Sequence, residues 1–300
     1  MQSWVLYALL GTAITTVVIF IDKYNLTEQI KDYRGMVIYS SLVGLVVGTF
    51  LWLITGFPIL NFQDGFLVIL TGVLSVFSSS IYFYVIQREP GSKVIFILQS
   101  VPVIVLILAV IFLKEQLTPR QLMGFLLILI PSMFMLMIQE GKLQFKLNKN
   151  LLLLTVANFI SAVSAVIFKF VVDAGTFSKV VAYESWGWAI GGALLFLFVP
   201  SVRNAFINTT KNLKKTALIL VFGNEFVYVI SKLLFFLAIS LGPVYLVNVI
   251  GGTQVLFGII YGIILTLIAP KIFKEDLSGK SLIKKMVLGI LTITGLTLIY

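Results

Sequence analysis

Apolar residues run along this chain in blocks of about 20, the length that crosses a hydrocarbon core, and polar residues gather between the blocks. Cutting at charged or Gly/Pro clusters predicts ten membrane helices, near 3–21, 36–55, 66–87, 93–113, 121–139, 150–172, 180–199, 216–239, 244–268 and 283–300. The blocks also repeat. Ile19-Phe20-Ile21-Asp22-Lys23-Tyr24 falls on Ala165-Val166-Ile167-Phe168-Lys169-Phe170, Tyr39-Ser40-Ser41 on Tyr183-Glu184-Ser185, and Gly48 on Gly192. Later, Leu113-Lys114-Glu115-Gln116-Leu117 with Gly124 is echoed by Phe273-Lys274-Glu275-Asp276-Leu277 with Gly289. A repeat with an odd number of spans inserts its second copy upside down. The expected fold is therefore an all-α polytopic membrane protein of ten transmembrane helices, arranged as two inverted five-helix repeats. The first repeat covers 1–140, a linker 141–149 and the second repeat 150–300, all within one integral membrane domain.

Composition agrees with that pattern. Apolar residues make up 59% of the 300 positions and charged residues 11%, with mean hydropathy +1.08, far outside soluble statistics. The net charge of +10 invites a nucleic-acid reading. Its distribution rejects one, because most Lys and Arg sit in short connections between apolar blocks. Those basic residues concentrate in the odd-numbered connections, from Lys23, Lys31 and Arg34 to the group between Lys271 and Lys285. The positive-inside rule then puts the odd connections in the cytoplasm and both termini outside. The first block has no basic n-region or convincing cleavage site and reads as an uncleaved helix. The Ile, Leu and Lys usage leans towards a prokaryotic plasma membrane.

Cysteine and histidine are absent, which removes disulfides, thiol chemistry and the commonest metal ligand. No nucleophile-base pair, metal cluster or phosphate-binding glycine loop stands out. The chain reads as a non-enzyme without cofactor or metal.

With Gln99-Ser100-Val101-Pro102-Val103 followed by Leu113-Lys114-Glu115-Gln116-Leu117-Thr118-Pro119-Arg120-Gln121-Leu122-Met123-Gly124, the chain resembles the EamA repeat of the drug/metabolite transporter (DMT) superfamily. The family pattern is a mid-helix proline, a Leu-Gly-Glu-x-Leu-Thr turn and a Gln-x-x-Gly entering the last helix of the unit. Lys23 and Lys169, each ending the first helix of its half, fit it too. Two departures stand out: Lys114 replaces the turn glycine, and Gln254 replaces the second copy's proline. The family's usual orientation, with both termini in the cytoplasm, also opposes the charge count. The resemblance implies a carrier of ten helices that moves small metabolites by alternating access.

Charge inside a span is costly unless it faces a cavity or a partner. The first-half spans hold none by this reading. The second half holds Lys169, Glu184, Glu225 and Lys232. Glu225, Tyr228 and Lys232 recur at helical spacing and share one stripe, a wall suited to a zwitterionic solute or, at Glu225, to a proton. An internal ion pair that only locks the helix is the plainer alternative. Lys169 lies close enough to a helix end to snorkel to the headgroups, and Glu184 opens a span beside Trp186 and Trp188, like an aromatic belt.

Gln99, and Asn248 with Gln254, occupy matching mid-helix positions in the two halves. There Pro102 frees a carbonyl, the arrangement expected at a midplane site; plain interhelical hydrogen bonding is the alternative. Tyr82, rather than Tyr84, is taken to face a cavity. Gly44/Gly48, Gly187/Gly191 and Gly258/Gly262 read as close-packing pairs. The stretch Asp22 to Arg34 reads as a short interfacial helix.

The expected substrate site is thus Tyr82, Gln99, Glu225, Tyr228, Lys232, Asn248 and Gln254, with Lys169 and Glu184 as further charged or structural candidates. The expected function is secondary transport or exchange of a small polar metabolite, an amino acid or similar zwitterion first. Protons or a counter-substrate are candidate co-transported partners, and a monomer in the bilayer is a plausible assembly. A lipid or lipid-linked headgroup carrier, and a membrane scaffold or receptor, remain open alternatives.

Overall fold

The computed structural model describes residues 2–30, 32–89, 94, 97–139, 148–173, 175–268 and 279–299. The linker near 141–147 and the connection Lys271 to Leu277 lie outside them. Helices run in the order α1 (Ser3–Tyr24), α2 (Tyr33–Ile54), α3 (Phe62–Arg88), α4 (Ser100–Leu108), α5 (Pro119–Gln139) and α6 (Lys149–Val171). They continue as α7 (Phe177–Phe198), α8 (Pro200–Asn212), α9 (Lys215–Leu241), α10 (Val244–Gly251), α11 (Gln254–Ile268) and α12 (Gly279–Ile299). Among the described residues there is no strand, and seven helices are long and apolar enough to cross a membrane.

Local chemistry sets the ends of these helices. The side chains of Asp32, Asn61 and Asn148 accept backbone N–H bonds at the starts of α2, α3 and α6, the usual N-cap device. Pro200 opens α8, where its missing N–H costs nothing. α2 stops at Gly56 and Phe57, both at positive φ. The α4 segment widens into a π-helical turn, Ala109–Leu113, and ends on Lys114 at φ 55° and ψ 27°. That is the position where the resembled pattern has glycine, so this chain holds a lysine in backbone that glycine adopts more cheaply.

The interior and exterior are inverted relative to a soluble protein. Large apolar side chains such as Phe50, Ile54, Phe198, Ile219 and Ile290 face outward, while Thr12, Asp22, Asn158, Glu184 and Glu225 are buried. Lipid leaves apolar side chains no reason to cluster, so helix contacts depend on close backbone approach and hydrogen bonds. α3 and α7 supply one such approach. A Cβ on Gly72 would lie 2.1 Å from the Glu184 carbonyl oxygen, and one on Gly187 would lie 2.2 Å from that of Ile69. α5 and α12 meet in the same way, each of Gly124 and Gly295 facing the other's carbonyl. Gly44 and Gly48 pack on Trp188 and Trp186 of α7, whereas Gly258 meets only Thr16 at 3.9 Å.

The largest helix pairings join α1 with α9, α2 with α7, α3 with α7, α3 with α6 and α5 with α12. Side-chain bonds fix two of them alike. Ser231 on α9 donates to the Gly11 carbonyl (2.7 Å) and bonds the Thr15 hydroxyl on α1. Ser78 on α3 donates to the Ala157 carbonyl (3.0 Å) and bonds the Ser161 hydroxyl at 2.6 Å on α6.

Two expected features differ. The span expected at 244–268 is broken at Gly252 and Thr253 into α10 and α11, and a turn at Gln99 interrupts the span expected at 93–113. At the first break the Asn158 amide donates to the Ile97 carbonyl at 2.7 Å and to Ser100 at 2.9 Å. Ser132 does the same at the second break, donating to the Gly252 carbonyl at 3.0 Å. Second, the stretch after Asp22 is no separate interfacial helix. α1 runs on to Tyr24 and passes into a π-helical turn, Asn25–Gln29, so Asp22 is carried inside.

Candidate functional site

Four helices supply most of the polar interior: α1, α3, α6 and α9. The middle of α1, at Thr12 and Thr15, and the last half of α6 line one cavity of about 310 Å³. The last half of α1 and the first half of α6 line a second cavity, of about 210 Å³. The two share a waist that includes Thr15, Ser78, Ser79, Ser161, Tyr228 and Gln254.

The larger cavity holds an ion pair. Lys232 on α9 reaches Glu184 on α7 at 2.7 Å, with side chains 14% and 1% exposed. The same ammonium sits 4.1 Å from the centre of the Trp188 ring, a cation-π contact strengthened by desolvation. Among the described residues the Glu184 carboxylate has no partner besides the Lys232 ammonium, and the Trp188 indole nitrogen is buried without a hydrogen-bond partner. This overturns the belt reading of Glu184: it faces the protein interior, and Trp188 is buried with it. Trp186 packs instead on Trp52 and Tyr183.

The smaller cavity holds the other two interior acids, Asp22 and Glu225, with Ser40, Tyr82 and Asn158. Asn224 donates to Asp22 Oδ1 at 2.8 Å. Asp22 was expected in a connection; it is 5% exposed, which corrects the reading of an uncharged first half. Its signal was its place one residue before Lys23, still within the apolar run of α1.

The expected residues therefore divide. Lys232 and Asn248 line the larger cavity, Glu225 and Tyr82 the smaller, and Tyr228 and Gln254 both. Among the described residues the Tyr82 hydroxyl and Gln254 Nε2 are buried without a hydrogen-bond partner. Asn248 uses its amide on the Val244 carbonyl at 2.8 Å. Gln99 is buried outside both walls, its Oε1 against Gly252.

Lys169 lies outside the waist too, and it does not snorkel. Its ammonium donates to the carbonyls of Ile239 and Gly242 at the end of α9, at 2.8 and 2.9 Å. Among the described residues no group of three or more Asp or Glu side chains is placed to hold a metal.

This architecture has relatives. Residues 2–137 match the EamA-like transporter family of the DMT superfamily, and together with the apolar helices of membrane-spanning length this supports an integral, multi-pass membrane protein of the transporter type. A solved structure titled "Crystal structure of protein" superposes with TM-score 0.67 at 15% identity, covering 98% of this chain and 94% of that one. The fold of the second half is thereby shared with a solved structure as well. No curated protein matches the chain in sequence.

Proposed function

We propose that the protein is a secondary carrier that moves a small zwitterionic metabolite, an amino acid or close analogue, by alternating access. The observation that carries this is the Lys232–Glu184 pair beside Trp188 in a cavity of about 310 Å³, within the size range of small-molecule sites. A bound zwitterion exchanges partners with the pair: its carboxylate takes Lys232 and its ammonium takes Glu184 and the Trp188 ring face. Tyr228, Gln254 and Asn248 complete the contacts, with Tyr82 and Glu225 meeting the solute as it passes the waist.

Ten spans in two inverted repeats, 1–140 and 150–300, underlie the motion. Support comes from the recurring bonds between α1 and α9 and between α3 and α6, and from opposite halves of α6 lining the two cavities. In this reading the two cavities are the outward and inward vestibules. Basic connections face the cytoplasm of a prokaryotic cell, which puts the larger cavity on the outer side.

The test is uptake of labelled amino acids into proteoliposomes, with thermal shift on the purified protein against the same panel. A ligand at 100 times its Kd stabilises the fold by about 2.7 kcal/mol. Wild type is expected to bind and exchange at least one zwitterion, and Lys232→Met to lose both. Binding of only uncharged or lipid headgroup compounds sinks the zwitterion assignment.

A further inference from the structure

Asp22 and Glu225 come from different halves of the chain and line the same cavity. We infer that this pair, on the side of the waist away from Lys232, is the binding site of a small monovalent coupling cation, H⁺ or Na⁺. The inference rests on the carrier reading above and adds a second ligand at a second place.

Three observations point there. First, the described lining of this cavity contains no Lys or Arg. Asp22 meets the Asn224 amide at 2.8 Å, a neutral donor that leaves its charge in place. Two carboxylates sharing a low-dielectric space favour taking up one positive charge, and the ammonium nearest along the stripe, Lys232, is engaged by Glu184. Second, polar groups beside them are unsatisfied or turned inward. Among the described residues Asn224 Oδ1 is buried without a hydrogen-bond partner on a residue 3% exposed, and the Ser40 hydroxyl, on a residue 4% exposed, lines the same cavity as both acids. With the Tyr82 hydroxyl, unpartnered like Asn224 Oδ1, these are oxygen ligands of the hard kind that alkali cations and protons seek. Third, α1 widens into its π-helical turn at Asn25, three residues after Asp22, and such turns recur at functional sites.

The placement also explains coupling. The ionisable groups facing Glu225 are Asp22 on α1, Tyr82 on α3, and Tyr228 and Lys232 on its own helix. Lys232 lies two turns along the stripe and is engaged by Glu184. A zwitterion that draws Lys232 away from Glu184 alters the field at the waist, and a cation on the Asp22–Glu225 pair balances the same stripe from the other end. Substrate held at Lys232 and cation held at Asp22 and Glu225 thus act on one helix, α9.

Proteoliposomes on a solid-supported membrane test the site with NaCl against choline chloride at fixed pH, and with a pH step in choline. Wild type is expected to give a saturable charge displacement with one of the two, Na⁺ naming a sodium site and the pH step a proton site. Asp22→Asn and Glu225→Gln are each expected to abolish it. A difference infrared spectrum of wild type across the pH step supplies a readout that needs no variant, since a shared proton appears as a carboxyl C=O band. Lys232→Met is expected to keep the cation response while losing amino-acid binding, so failure of the substrate assignment leaves this result standing. No displacement in wild type with either cation, or an undiminished one in both carboxylate variants, overturns the assignment.

Discussion

Lys169 on α6 does at the end of α9 what Lys23 on α1 does at the end of α3. Each ammonium donates to two carbonyls at a helix C-terminus: Ile239 and Gly242 at 2.8 and 2.9 Å for Lys169, Ile86 and Glu89 at 2.6 and 3.4 Å for Lys23. A helix end leaves its last carbonyls unpaired and carries the negative pole of the macrodipole. In lipid no water meets that demand, so a lysine from the neighbouring helix does.

Replacing Lys169 by Met keeps the aliphatic stem and removes both bonds. Bonds to charged groups are worth about 1.5–3 kcal/mol each, less when partly exposed. The expected loss is about 2 kcal/mol, measured as a lower Tm in detergent, with Lys23→Met costing a similar amount. An unchanged Tm for both variants contradicts the capping role.

The Lys232–Glu184 pair is best measured by a double-mutant cycle. Removing one partner of a buried pair leaves the other charge unpaired, at a cost of about 3–5 kcal/mol. Lys232→Met and Glu184→Gln are each expected to fall in that range, and the double variant to recover much of the loss. Additive losses mean that the two side chains do not interact.

Gly72 and Gly187 carry the closest backbone approach between α3 and α7. A methyl at either meets peptide atoms at 2.1–2.2 Å, and backbone cannot rotate out of the way. Gly72→Ala and Gly187→Ala are expected to cost upwards of the 1–3 kcal/mol typical of overpacking. Gly223→Ala, with nothing within 4 Å, is expected to be neutral or slightly stabilising, since alanine suits a helix better. Thermal unfolding of the three variants side by side checks the ordering.

Glu115, in the turn before α5, gives a pH signature. Burial lifts its carboxyl above the usual glutamate value, while the Val244 N–H and the Lys169 charge oppose that shift. A carboxyl with a raised folded pKa binds its proton more tightly in the folded state. Stability is therefore greatest below the unfolded pKa and declines as pH rises from the ordinary glutamate value through the higher folded one. Glu115→Gln is expected to lack this decline, so a Tm series from pH 4 to 8 on both proteins decides it.

Much of the site was legible because charge in an apolar block is conspicuous: Glu184, Glu225 and Lys232 all stood out. Their grouping was not legible. Helical spacing put Glu225 and Lys232 on one stripe, yet α9 carries that stripe past the waist, so the two face different cavities. Glu184 sat beside two tryptophans near the start of a block, where an interface and an interior look alike in sequence. Asp22 was hidden by its neighbours, since a mixed-charge run after it moved the apparent helix end back by one residue.

What the sequence by itself determined is the membrane class and the short roster of interior polar residues. These are local facts, set by the cost of placing polar groups in hydrocarbon and readable from periodicity and composition. Tertiary structure alone decided the partners: Lys169 with the end of α9, Lys232 with Glu184, Asp22 with Asn224 and Glu225. Each joins residues from separate helices, and in lipid apolar faces do not dictate which helices meet. Small residues and hydrogen bonds select those neighbours, and their geometry exists only once all the helices are packed.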